Sequence, residues 1–168
     1  MKKIFVLFIL LIMPSVFGQN LTLSELLSIR KKDISGVDDY LTNKSWKFIS
    51  GSEPDDESLG SISYTFKKDY MNDKAESFLN YYYSDYSSKT RLSIQVHKTN
   101  IINAYISQIK IWGGKIIDSY VDDGDMIKIY QGSTMTYRVI TSTQDNDYGG
   151  TSTCYILSIY TNEDFNSM

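Results

Sequence analysis

The spacing of apolar side chains changes period several times along this chain, and each change marks an element. Leu23, Leu26 and Leu27 recur at helical spacing, and so do Ile34, Val37, Tyr40 and Leu41. This recurrence predicts two short helices, over 23–31 and 34–43. Their starts are marked too. Thr22-Leu23-Ser24-Glu25 has the form of a capping box with Thr22 as N-cap, and Asp33 stands where the second helix needs a cap. Gly36 weakens the second helix, because glycine inside a helix costs about 1 kcal/mol against alanine.

From Trp46 the period falls toward two. Ile62, Tyr64 and Phe66 alternate with Ser61, Ser63 and Thr65, and Leu92, Ile94 and Val96 alternate with Arg91, Ser93, Gln95 and His97. Such alternation predicts antiparallel strands with one buried face. A strand over 77–83 fits between them, aromatic on both faces. Helical spacing returns after Thr99, the expected N-cap, with Ile102, Tyr105, Ile106 and Ile109 on one stripe and Gly113-Gly114 as the stop. Strands follow over 115–121, over 126–140 with a kink or turn at Gly132, and over 154–160.

The order is therefore helices, three or four strands, helix, three or four strands. We expect an α+β fold with helices packed on one face of an antiparallel sheet. The stretches Asn43-Lys44-Ser45-Trp46-Lys47-Phe48-Ile49 and Trp112-Gly113-Gly114-Lys115-Ile116-Ile117 both pass from helix into strand. Their echo suggests a tandem αβββ repeat.

The first eighteen residues follow another rule. Lys2 and Lys3 precede an unbroken apolar run from Ile4 to Met13, and Pro14, Ser15, Val16, Phe17 and Gly18 lead to a cut after Gly18, with Val16 three positions from it. This is the form of a secretory signal peptide over 1–18, leaving a single α+β domain over 19–168. The expected location is periplasmic or extracellular. No cysteine follows the apolar run, so a lipid anchor there is not expected, and no later stretch is apolar enough to span a membrane.

The leader removes two lysines and no acid from a chain of 17 basic and 20 acidic side chains, leaving a net charge of −5. That argues against nucleic acid as a partner, since phosphate contacts need clustered Lys and Arg. The one cysteine, Cys154, excludes an internal disulfide. It lies in a good strand context, where an inert, half-buried thiol is expected. Fourteen tyrosines and seven phenylalanines against two prolines suit a broad, partly exposed sheet face.

Candidate chemistry is sparse. His97 is the only histidine, so multi-histidine metal sites are excluded. Asp145-x-Asp147-x-Gly149 resembles the start of a calcium loop but lacks the closing glutamate. Asp122-Asp123-Gly124-Asp125 fits a hairpin turn better than a cation site, and Asp55-Asp56-Glu57 fits solvated loop charge. No nucleophile elbow, phosphate loop, zinc helix or dinucleotide fingerprint is present. No cofactor or metal is expected.

What remains is the face opposite the apolar positions: Ser63, Thr65, Tyr82, Gln95, His97, Lys128, Tyr130, Thr136 and Arg138. Tyrosine and arginine amid small polar residues is the composition of interface hot spots. Tyr82, Gln95, His97, Tyr130 and Arg138 are the expected binding residues.

Leu21-Thr22-Leu23-Ser24-Glu25-Leu26-Leu27, Tyr40-Leu41-Thr42-Asn43-Lys44-Ser45-Trp46, the stretch 80–86 and the leader resemble a group of uncharacterised exported proteins of Bacteroidota. The helix-then-sheet order is more loosely similar to the β-lactamase-inhibitor-protein and outer-membrane-assembly small-lipoprotein folds. That likeness implies binding of another envelope or extracellular protein, without an anchor. The expected function is a non-enzymatic protein-binding or inhibitory module. The alternatives are a hydrolase of envelope polymers using scattered carboxylates and a structural envelope protein.

Overall fold

The computed structural model describes residues 21–69, 71, 74–145 and 150–168, so the signal peptide expected over 1–18 lies outside the described residues. Helices α1 (Leu23–Ile29) and α2 (Ile34–Asn43) come first. Four strands follow: β1 (Trp46–Ser52), β2 (Gly60–Phe66), β3 (Ser77–Tyr83) and β4 (Arg91–Val96). Helix α3 (Thr99–Ile111) leads into β5 (Lys115–Asp122), β6 (Asp125–Gln131), β7 (Met135–Asp145) and β8 (Thr151–Thr161), and then into a short α4 (Asn162–Asn166). The eight strands make one sheet in the order β1-β2-β3-β4-β8-β7-β6-β5, antiparallel throughout. The fold is α+β, with four strands rather than three after α2 and again after α3.

Local chemistry explains the boundaries. The Thr22 hydroxyl accepts from the Glu25 N–H while Glu25 accepts from the Thr22 N–H, so the capping box is complete. Asp33 accepts from the Gly36 N–H at 2.8 Å, and a Cβ at Gly36 would come within 2.9 Å of that Asp33 oxygen. Gly36 thus makes room for the cap. Helix α3 starts one residue earlier than expected, after Lys98, and the Thr99 hydroxyl instead meets the Tyr155 hydroxyl at 3.0 Å. Asp123 and Gly124 both have positive φ, 47° and 82°, as a two-residue hairpin turn between β5 and β6 requires.

Two features recur after α2 and after α3. Ser45 (φ 65°) and Gly113 (φ 84°) are left-handed residues just past the two helix ends. The pairing of the next strand then slips once, around Ile49 in β1 and around Ile117 in β5.

Pairing registers divide the strand residues between two faces. On one lie Ile62, Tyr64, Leu79, Tyr81, Leu92, Ile94, Tyr130, Tyr137, Val139, Leu157 and Ile159, all buried. They share one core with Leu26 and Ile29 of α1, Val37 and Leu41 of α2, and Ile102, Tyr105 and Ile109 of α3. Buried tyrosines finish in hydrogen bonds to α2 and the turn before it: Tyr64 donates to Asp38 at 2.7 Å, and Tyr81 to the Lys32 carbonyl at 2.7 Å. Helix α4 differs, since its Asp164 bonds Arg91, a residue of the opposite face.

This division corrects the sequence expectation for β6. Tyr130 stands opposite Ile116 and Tyr137 and is buried in the core, and Lys128, opposite Val139, points to the same side. Ile127 and Ile129 occupy the other face and are buried there. The strand is apolar on both faces, so alternation alone picks the side wrongly.

Candidate functional site

On the face away from that core, directly opposed residues form transverse rows, and three of them differ in size and chemistry. The central row runs Ser63, Asn80, Ser93, Ser158 and Arg138, from β2 through β3, β4 and β8 to β7. Its short side chains bond along the row: Ser63 donates to Asn80 at 2.7 Å, and the Ser93 and Ser158 hydroxyls are 3.2 Å apart.

On one side lie Tyr82 and its opposite residue Arg91, with Tyr160, whose ring is 5.8 Å from the Arg91 guanidinium, and Thr136. On the other side lie Phe78, Gln95, Ile156 and Ile140. Rows on one face are about 7 Å apart, because side chains repeat every second residue. On the central strands β3, β4 and β8 the short side chains therefore floor a trough between rows of longer ones, and its walls fall away at Ser61 and Thr65 of β2 and at Thr136 of β7. A depression of about 300 Å³ opens where Tyr82, Arg91, Ser93, Ser158 and Tyr160 meet.

The two arginines of this face differ. Arg91 is neutralised by Asp164 of α4, donating from Nε at 2.7 Å and from Nη2 at 3.0 Å. Asp164 is itself buried and is fixed by the cap of α4, where Thr161 accepts its N–H at 3.1 Å. Arg138 has no such partner. Its Nε is buried without a hydrogen bond, and none of the ion pairs among the described residues involves it. The Tyr82 phenol is pushed above its ordinary pKa by burial, with Tyr160 adding and Arg91 opposing, so it stays a donor at neutral pH.

Of the expected binding residues, Tyr82, Gln95 and Arg138 do share this face, as do Ser63, Thr65 and Thr136. His97 lies just past β4, exposed, with its Nε2 3.5 Å from Gln95, at the border rather than in the trough. Tyr130 is in the core. Sequence reasoning missed Ser93, Ser158, Tyr160 and Asp164 as members of the site. Only the last left a trace, since Thr161 and Asp164 have the spacing of a capped helix start.

Other concavities are less suited to a ligand. One of about 240 Å³ lies between α1 and α3, where the Thr22 polar groups are already bonded to Glu25. One of about 430 Å³ is lined by Asp33 and Asp85, but Asp33 is occupied as a helix cap. Among the described residues the carboxylates with displaced pKa values, Glu25, Asp55 and Glu76, are all shifted down, opposite to what a protonated general acid needs. Among the described residues no group of three or more His, Cys, Asp or Glu converges. Cys154 is buried, and burial together with Asp125 raises its thiol pKa. The Asp145–Gly149 loop motif falls largely outside the described residues. No helix among the described residues is long and apolar enough to cross a membrane.

Comparison with protein-family models, with curated proteins and with solved structures gives no match to this chain.

Proposed function

We propose that this chain is an exported, non-enzymatic module that binds another envelope or extracellular protein across the trough. The observation that carries this reading is the serine row between an aromatic row and an apolar row, ending at Arg138. A polypeptide laid in the trough finds hydroxyl partners on the floor, ring and aliphatic surface on the walls, and one uncommitted cation. Arginine is the side chain best able to hold a carboxylate by two parallel bonds. The preferred occupant is therefore an extended segment carrying an acidic residue. Periplasmic or extracellular location belongs to this proposal and is supported by the form of residues 1–18.

Two finer features of the fold belong to the same reading. Helices α1 to α3 act as a layer over one face, which leaves the trough face to the partner. The halves α1-α2-β1-β2-β3-β4 and α3-β5-β6-β7-β8 act as tandem units meeting at β4 and β8. Left-handed residues and strand irregularities at matching places support this, and so does the mirrored strand order, with Ser93 and Ser158 facing each other at the seam.

The test is capture from envelope extract by the wild-type protein and by two variants, Arg138→Glu and Ser93→Trp. The first reverses the uncommitted charge and the second fills the floor. A partner held by the wild type and lost from both variants, at unchanged melting temperature, is the expected result. A partner held equally by all three would remove the trough as its site. Release of sugars or peptides from envelope polymers by the purified protein would favour the hydrolase reading instead.

A further inference from the structure

Both edge strands of the sheet are open to solvent, β1 at every residue but Trp46 and β5 at all eight. The apolar side chains of β5 are not scattered. Ile116 and Ile117 are each 51 % exposed and Val121 69 %, with Tyr120 beside them, Met126 across the hairpin, and Ile111 and Trp112 at the end of α3. More than half of the large apolar side chains exposed among the described residues therefore fall within the one stretch 111–126. The fold explains why. Helix α2 packs on β1, the opposite edge, but among the described residues no helix makes a comparable contact with β5 or β6. Among the described residues the backbone of β5 also pairs on one side only, with β6. An apolar edge strand with a free row of N–H and C=O groups is a template for another strand.

From this edge we infer that the protein forms a two-fold dimer through antiparallel pairing of β5 with β5 of a second copy. The charge pattern identifies the occupant. Lys115 lies at the start of the strand, while Asp122 and Asp123 lie at its end and turn. Antiparallel self-pairing centred on Ser119 brings Lys115 of each copy beside Asp122 and Asp123 of the other, twice by symmetry. It also sets Ile117 against Val121 of the mate. Parallel pairing would stack like charges and is disfavoured.

One donor must change partner for this to occur. The Ser119 N–H now donates to its neighbour Asp118 at 2.8 Å. In the dimer it turns to the mate's strand, and Asp118 faces the mate's Tyr120, a phenol able to donate to it. The pairing is isologous, so it closes at two copies. It also places both trough faces on the same side of one sixteen-stranded sheet. Joining β5 to β1 of another copy would instead grow open filaments, because those two edges are different surfaces.

The experiment is sedimentation equilibrium on protein expressed from the full chain and purified as the cell processes it. The expected mass is twice that of the purified polypeptide at high micromolar concentration, falling to one on dilution. Val121→Lys should weaken the association by roughly tenfold or more, since each dimer carries the charge twice. Its melting temperature measured under dilute, monomeric conditions should not change, because the side chain is exposed. Ser119→Cys should give a disulfide-linked dimer on mild oxidation, with the buried Cys154 out of reach. A single-chain mass at every concentration would overturn the proposal. So would open polymers, or a dimer that survives Val121→Lys while Ser119→Cys stays unlinked.

Discussion

Glu25 shows how much one side chain can concentrate. It accepts from the Thr22 N–H at 2.7 Å and from the Tyr40 hydroxyl at 3.0 Å, and it pairs with Lys44. Burial works to raise its pKa, but Lys44, the Thr22 N–H and hydroxyl, and Tyr40 outweigh burial and hold it at about 2 against an ordinary 4.5. A carboxylate whose pKa is depressed on folding stabilises the fold fully above its unfolded value and ceases to do so as pH falls through its folded value. Wild-type melting temperature should therefore decline between about pH 4.5 and pH 2, where the Glu25→Gln variant, already lower at neutral pH, should decline less. Parallel slopes for the two proteins would refute this. Asp164 is the corresponding anchor on the trough face. Asp164→Ala leaves the part-buried Arg91 unpaired and should cost about 2 kcal/mol in denaturant unfolding. The sequence shows Arg91 and Arg138 alike, as polar positions on alternating strands. Only the fold brings Asp164 back to Arg91 from more than seventy residues away, which leaves Arg138 as the cation without a partner.

Elements are legible where their chemistry is local. The capping box at Thr22, the Asp33 cap, the Asp123-Gly124 turn and the alternation in β2 and β4 depend on neighbours in sequence, and each element was expected where it stands. Strand β6 depends on which side the core lies, and its Ile127, Ile129 and Tyr130 offer apolar side chains to both faces. Helix α4 was missed because five residues are too few for a period to show. Helix ends give a test at this scale. Ser45 and Gly113 hold the same left-handed place after α2 and α3, but only glycine does so without a Cβ penalty. Ser45→Gly should stabilise the protein by about 0.5 kcal/mol, and Gly113→Ala should destabilise it by about 1 kcal/mol, in urea unfolding. Effects of the same sign would show that something other than φ controls these ends.

At the scale of the molecule the question is whether the two four-stranded halves fold as one. Each meets the other along β4 and β8, where Ile94 opposes Leu157 and Leu92 opposes Ile159, all four fully buried. Across this seam the core continues: Tyr105 of α3 donates to the Leu21 carbonyl just ahead of α1, and Tyr137 of β7 shares the core with Ile29 of α1. Neither half has a core of its own to retreat to, so unfolding should be a single transition. The chain carries its own probes, since its two tryptophans fall one in each half. Trp46 is buried at the start of β1, while Trp112 is exposed after α3 and can be replaced by Phe at little cost. In that variant, Trp46 fluorescence reports the first half alone. Its urea transition should coincide with that of far-ultraviolet circular dichroism, which reports both halves. Leu157→Ala, in the second half, opens a cavity at the seam and should move both curves together by about 3 kcal/mol. If the Trp46 curve stayed in place while the dichroism curve moved, the halves would be independent units, and the trough that spans them would lack a rigid floor at Ser93 and Ser158.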